Sequence, residues 1–234
     1  MTLYVGTSGY AYKEWKGYFY PEKIAADEML RFYATKLRTV EINNTFYRMP
    51  KEAVVTAWAE QVGPEFRFIL KASQKITHFK RLKDVGSELE YFLKAATLLG
   101  EKRGPTLFQL PPNMKKDLPR LTDFLALIPK RWRAAFEFRH ETWYGEDVYD
   151  ALRSANAALV LADNDEGPEP AAVATADWGY LRLRRENYDD AALQGWVTRV
   201  TSQQWSDTFV FFKHEEAGAG PAMAARFEGL AGAG

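Results

Sequence analysis

Two carboxylates stand where a folded chain seldom tolerates charge. Glu41 lies between Val40 and Ile42, and Glu137 between Phe136 and Phe138. A carboxyl with apolar neighbours on both sides is either paired with a cation or kept protonated, and both states suit acid–base chemistry. The competing use of the same residues is a structural ion pair inside the fold, Glu41 with Lys71 or Glu137 with Arg182. Asp163 follows a third apolar run, Ala158 to Ala162, and is the third candidate catalytic acid.

Cations and polar groups take similar places. Lys71 closes the run Phe66–Leu70, Gln109 stands in Thr106–Leu110, and Arg182 alternates with leucines in Tyr180–Arg184. Arg139 and His140 come directly after Phe138, with Trp143 close behind, and Lys213 and His214 come directly after Phe212. Ser8, Tyr10 and Trp15 follow the first apolar run. Asn43, Tyr47 and Arg48 crowd the turn after Thr39–Ile42, and His78 sits in the loop Ser73–Lys83. These are the candidate substrate-binding residues. An arginine such as Arg139 holds a carboxylate or phosphate bidentately. The aromatic rings offer stacking walls for a sugar or a base.

The chemistry these residues suggest is hydrolase-like acid–base work on a small polar, anionic molecule, a phosphoester or a sugar. A non-catalytic ligand-binding protein is the second reading. A nucleic-acid-processing protein using the arginines of 182–185 is the third. His78, His140 and His214 are the only histidines. They could join the acids in a mixed metal site, but no helix carries a ligand pair at the spacing of zinc motifs. No metal site is assigned, and the sequence names no cofactor. Ser8 lacks the Gly-x-Ser-x-Gly elbow of a hydrolase nucleophile and reads as a turn serine.

Composition narrows the classes. The 234 residues hold 31 Lys plus Arg against 31 Asp plus Glu, so the formal net charge is zero. A whole-surface grip on nucleic acid would leave a basic excess, which places that reading last. There are no cysteines, which removes disulfides, thiolate metal sites and cysteine nucleophiles. No apolar run approaches a membrane span. The first residues enter the strand-like Leu3-Tyr4-Val5 with no basic-then-apolar leader, so no membrane partner and a cytoplasmic location are expected. The residues carry no signal of oligomeric state.

Such scattered side chains need a scaffold that gathers them. Strand-like runs start at Leu3, Thr39, Phe66, Thr106, Ala134, Ala158, Tyr180 and Thr208. Helical stripes separate nearly all of them: Leu30, Tyr33 and Leu37; Val55, Trp58, Ala59 and Val62; Leu89 to Leu99; Leu121 to Ile128; Val148 and Leu152; Leu193 to Val200; and Met223 with Phe227. Asp27 and Asp117 are the expected caps of two of these helices. Residues 164–178, with Gly167, Pro168 and Pro170, read as loop, so the helix between strands six and seven is missing or replaced. The terminal Ala-Gly-Ala-Gly is expected to fray. The pattern is that of one compact TIM-type (β/α)8 barrel domain over residues 1–234, smaller than the usual ~250 residues. In a barrel, every strand's C-terminal end opens on one mouth. The alternative, an open doubly wound sheet, lacks its Gly-rich turn opening a helix.

Several phrases together resemble a known family. They are Gly6-Thr7-Ser8-Gly9-Tyr10-Ala11-Tyr12 with Trp15 and Phe19-Tyr20-Pro21, and Val40-Glu41-Ile42-Asn43-Asn44-Thr45-Phe46-Tyr47-Arg48. Lys71 with Ile76-Thr77-His78, Phe108-Gln109-Leu110-Pro111-Pro112, and Glu137-Phe138-Arg139-His140 with Trp143 complete the set. From about Leu3 to Phe227 the chain is similar to the YecE-like family, grouped as a domain of unknown function. The resemblance implies a TIM-type barrel and no particular reaction. Many relatives resemble Arg-Leu-His-Gly where Arg182-Leu183-Arg184-Arg185 stands, and have an Asn pair where Lys213-His214 stands. If those positions touch the ligand, its identity differs in this branch.

Overall fold

Thr208-Phe209-Val210-Phe211-Phe212 shows why this chain builds a parallel sheet. A strand buried on both faces reads as a continuous apolar run rather than an alternating one, and all five residues are buried. A computed structural model describes residues 1–165 and 172–232. Its strands are β1 (Thr2–Ser8), β2 (Thr39–Ile42), β3 (Arg67–Lys71), β4 (Arg103–Gln109), β5 (Ala134–Glu137), β6 (Ala158–Leu159), β7 (Leu161–Asp163), β8 (Gly179–Leu183) and β9 (Asp207–Phe212). All neighbours run parallel, in the order β6-β5-β4-β3-β2-β1-β9-β8-β7.

The two ends of that order are one strand. Only Val160 separates β6 from β7, and its amide still donates to the Phe136 carbonyl at 2.9 Å. β6 pairs with β5 and β7 with β8, so the pair stands in place of the sixth strand and closes the ring. This is the eight-stranded TIM-type barrel, and the open-sheet alternative is excluded.

Outside the ring lie α1 (Met29–Ala34), α2 (Asn44–Tyr47), α3 (Glu52–Glu60), α4 (Gly86–Thr97), α5 (Leu118–Leu127), α6 (Glu146–Ser154), α7 (Asp190–Thr201) and α8 (Ala219–Gly232). Apart from α2, which sets Phe46 against Lys71 at the mouth, their apolar stripes pack on the outward strand residues in one large core. Asp117 caps α5 as expected, its Oδ1 accepting from the Arg120 amide. Asp27 does not cap α1: the residue before that helix is Glu28, which makes no side-chain cap. The loop after β3 contains a wide helical turn over Lys75–Phe79. No helix occurs among the described residues between β7 and β8; Gly167, Pro168 and Pro170 lie outside those residues. At the other end, Ala231 and Gly232 belong to α8, and Ala233 and Gly234 lie outside the described residues.

Inside the ring, residues two apart on a strand face the same way, and the interior falls into three levels. Arg67, Arg103, Arg133 and Asp207 stand at the strand beginnings. Tyr4, Ile69, Leu107, Ala135, Val160, Tyr180, Phe209 and Phe211 form an apolar middle. Glu41, Lys71, Gln109, Glu137 and Arg182 stand at the strand ends. The middle level is a packed core of its own, and each of its large side chains contributes about 1.5–3 kcal/mol by burial.

β1 and β2 approach closely. Tyr33 on α1 ties them together, its hydroxyl accepting from the Thr7 amide at 3.0 Å and donating to the Thr39 carbonyl at 2.9 Å. A Cβ on Gly6 would lie 2.1 Å from that same carbonyl oxygen. Gly6→Ala must therefore push β1 away from β2. A loss of about 1–3 kcal/mol is expected in urea unfolding of Gly6→Ala, and an unchanged midpoint would show that the strands part freely there.

Candidate active site

Glu41, Lys71, Gln109 and Glu137 reach the same end of the barrel because they occupy inward positions near the ends of β2, β3, β4 and β5. Arg182, inward on β8, crosses to meet them. Its Nη2 donates to Glu41 Oε1 at 2.7 Å and its Nη1 to Glu137 Oε2 at 2.6 Å. Tyr180, two residues earlier on the same face, donates to Glu41 Oε2 at 2.6 Å, and Asn43 Nδ2 donates to Glu41 Oε1 at 3.2 Å. Arg184, two residues later, donates to Glu137 Oε1 at 2.5 Å. Gln109 joins the chain by donating to Glu137 Oε1 at 2.9 Å and accepting from Lys71 Nζ at 2.8 Å.

The charges set one another. Burial works to raise the Glu137 carboxyl, but Arg182 and Arg184 overcome it and hold the pKa down at about 2. Burial likewise opposes ionisation of Glu41, and the Arg182 charge with the Tyr180 hydroxyl holds it below the usual carboxylate range. Burial pushes the Tyr180 phenol well upward, so it remains a donor. Neither glutamate is therefore a proton donor at neutral pH. The guanidinium also fills the space between them, where a glycosidase would seat the scissile bond. The glutamates make the structural ion pairs that were the competing reading of the sequence, with Arg182 as partner to both.

Lys71 is different. Its ammonium bonds to a neutral amide rather than a carboxylate and lies over the Phe46 ring, 4.1 Å from the centroid. Burial pulls it down to about 8, aided by the Arg182 charge and resisted by Glu41 and Glu137. Nearby, burial and then the charges of Lys71, Arg139 and Arg81 hold the His78 imidazole down at about 4. His78 also touches the Phe46 ring edge-on and hydrogen-bonds Thr77 Oγ1 through Nδ1 at 2.9 Å. Ser8 is buried on the Glu41 side and helps hold that carboxyl down, yet its Oγ makes no hydrogen bond of ordinary geometry.

The other expected site residues are dispersed. Asp163 is buried in a group of its own, accepting from Arg185 Nε at 2.8 Å and from the Tyr188 hydroxyl at 2.9 Å. His214 Nε2 donates to the Arg185 carbonyl at 2.5 Å, which leaves Nδ1 as the bare nitrogen. Trp15 is not a wall of the mouth: it is fully buried among Tyr12, Phe19 and Tyr20. Trp143 is also fully buried, stacked on Phe138 and donating to the Met114 carbonyl at 2.7 Å. His140 accepts from the Thr142 amide and so caps the short turn Glu141–Trp143. Arg139, Tyr47, Arg48 and Lys213 are exposed. Tyr10 and Asn43 line a cleft of about 140 Å³ with Tyr12, Asn44 and Trp58, beside Glu41. Among the described residues no group of three or more His, Asp or Glu is arranged to hold a metal ion, and no helix is long and apolar enough to cross a membrane.

The sequence matches the family described as "Protein of unknown function DUF72" over residues 4–234. The chain belongs to this family. It is 32% identical over 118 residues to YecE of Escherichia coli K12; that match covers 50% of this chain and 43% of YecE, less than half the relative's length. It is 24% identical to YunF of Bacillus subtilis 168, covering 92% of this chain and 79% of YunF. Among solved structures, the DUF72 protein TM1631 of Thermotoga maritima superposes with a TM-score of 0.84 at 27% identity, covering 98% of this chain and 99% of that one. EF0366 of Enterococcus faecalis, at 18% identity and a TM-score of 0.83, covering 99% and 96%, shares the fold.

Within this DUF72 chain the residues that sequence reasoning left out of the site are Tyr180, Tyr12 and Tyr188, whereas Arg184 stands at the strand end where the barrel pattern puts it beside Arg182. Tyr180 had a signal, since it shares the inward alternation of Arg182 and Arg184. Tyr12 and Tyr188 had none, because each lies in a loop whose course the sequence does not specify. The arginine bridge makes a testable demand. Arg182→Met would leave buried Glu41 without a cation and Glu137 with Arg184 alone, and breaking such a buried pair costs about 3–5 kcal/mol. The freed carboxyls would have pKa values raised by burial, so the deficit should be full at pH 7 and shrink as the pH falls and they protonate. Urea unfolding of Arg182→Met across pH 4 to 8 reads this, and a deficit that does not change with pH contradicts it.

Proposed function

We propose that the barrel mouth is an active centre for a small anionic molecule, a phosphoester foremost, with Lys71 as the group that moves the proton. The observation that carries this is the uneven charge of the mouth. Arg182, Arg184 and Lys71 face only Glu41 and Glu137, and Lys71 is the cation without a carboxylate. Arg184 keeps 22% of its side chain exposed, and its Nε is without a partner. Arg139 adds a charge from the rim that is felt at His78. One surplus cation and a partly exposed guanidinium favour a phosphoryl group over a neutral sugar.

In the hydrolytic reading, neutral Lys71, about a tenth of the population at pH 7 for a pKa near 8, takes a proton from water. The water oxygen forms the new P–O bond as the ester P–O bond breaks, and the proton returns from Lys71 to the departing alkoxide. Arg184 offsets the charge on the phosphoryl oxygens. Glu41 and Glu137 serve as counter-ions that fix the arginines. A ligand-binding protein without turnover is the second reading, favoured by the full engagement of both carboxylates.

Turnover of p-nitrophenyl phosphate and binding of inorganic phosphate by wild type, Lys71→Met and Arg184→Gln test the proposal. Lys71→Met should lose about a hundredfold or more in kcat, the range of general acid–base catalysis, and Arg184→Gln should chiefly raise KM. The wild-type rate should climb with pH, reach half its maximum near pH 8 and level off above that as Lys71 loses its proton. Phosphate binding without turnover of any phosphoester leaves the binding reading. Turnover that survives Lys71→Met removes the assignment of Lys71.

A further inference from the structure

The opposite end of the barrel holds a second charged cavity. It lies at the strand beginnings, has a volume of about 300 Å³, and is bordered by Arg67, Arg103, Arg131, Arg133, Asp207 and Tyr4. That size is at the small end of ligand pockets. The apolar middle level separates it from the mouth, so the two do not share a ligand.

Four guanidinium groups meet one carboxylate there. Arg133 pairs with Asp207 at 2.5 Å and lies over Trp178, which is a structural ion pair. Arg67 uses Nη1 on the Pro64 and Phe66 carbonyls, at 2.7 and 3.0 Å. Its other guanidinium nitrogens make no hydrogen bond among the described residues. Arg103 has no ion pair among those residues. Its guanidinium carbon lies over the Trp132 ring, 3.8 Å from the centroid, and burial lowers its pKa with no acid in compensation. Stacking engages the face of a guanidinium and leaves its N–H edge free for a bidentate acceptor. Arg131 has no ion pair either, and its backbone is left-handed at φ 68°. That conformation disfavours a residue with a side chain by roughly 1 kcal/mol.

Arginines crowded together repel, and a protein of zero net charge has acids to spare for them. Here they are left with a surplus of three positive charges around a half-enclosed space. We infer that this cavity is a second anion site, built for a compact polyanion such as a di- or polyphosphoryl group. A nucleic-acid backbone spreads its charges along a line, whereas these four guanidinium groups converge on one small volume.

Inorganic pyrophosphate is the probe. Titration calorimetry of wild type, Arg103→Gln and Arg131→Gln should show the affinity falling roughly tenfold or more in each variant, as expected for loss of a charge-assisted hydrogen bond, and falling further with added salt. Arg131 is exposed, so its variant separates lost binding from lost folding, with the melting temperature as check. The Trp132 indole N–H, held on Thr106 Oγ1 at 2.9 Å, should shift in nitrogen–proton spectra on titration, while that of Trp143, near the other end, should not. No pyrophosphate binding, or binding indifferent to both substitutions, overturns the inference. A single-stranded oligonucleotide that displaces pyrophosphate at equal phosphate concentration overturns the compact-ligand assignment.

Discussion

One guanidinium, that of Arg182, decides how the top of this barrel is built. Two carboxylates enter the interior at Glu41 and Glu137 with 0% and 1% of their side chains exposed. Isolated ionised carboxylates are far too poorly solvated to persist there. Arg182 reaches both at once, and Tyr180, Gln109 and Arg184 take the remaining lone pairs. The network is thus satisfied except at a few points, namely Ser8 Oγ, Arg182 Nε and Arg184 Nε. Fully bonded buried polar networks specify one arrangement. Side chains from β2, β3, β4, β5 and β8 are held in one geometry by this means.

That constraint changes what the acids can do. A glutamate alone in an apolar run could be a protonated acid; the same glutamate against two arginines is a fixed negative charge. Reactivity passes to the group the acids leave incompletely balanced, Lys71. The mouth and the floor of the barrel then show the same motif, a surplus of cations, in different proportion. At the mouth three cations meet two anions, while at the floor four meet one. An apolar level lies between, so neither end relieves the other.

Much of this was legible in the residues. β-branched and aromatic runs at regular intervals named the strands, and polar residues at their ends named the mouth, because such groups do not sit in strands without a reason. Glu137 with Arg182 was readable as an ion pair. The second half of the bridge, Glu41 with Arg182, joins residues 141 apart, and no local pattern encodes that distance. Trp15 and Trp143 were misplaced because an aromatic near a strand end has the same signature whether it lines a cavity or fills the core beneath a loop. The floor went unread for a simpler reason. Attention to strand ends passes over strand beginnings, although Arg67-x-Ile69-x-Lys71 and Arg133-x-Ala135-x-Glu137 write out the layering in full.

The ring is not stitched evenly. β1 and β9 share six rungs, whereas β6 meets β5 through two and β7 meets β8 through three, with Val160 between. The joint at Val160 has the shortest of these ladders, and short ladders are where amides exchange with solvent most readily. The span from Arg182 on β8 over to Glu41 on β2 acts as a strut across the hoop, tying the side next to the joint to the opposite strands. The same atoms that hold charge at the top therefore also keep the circle round.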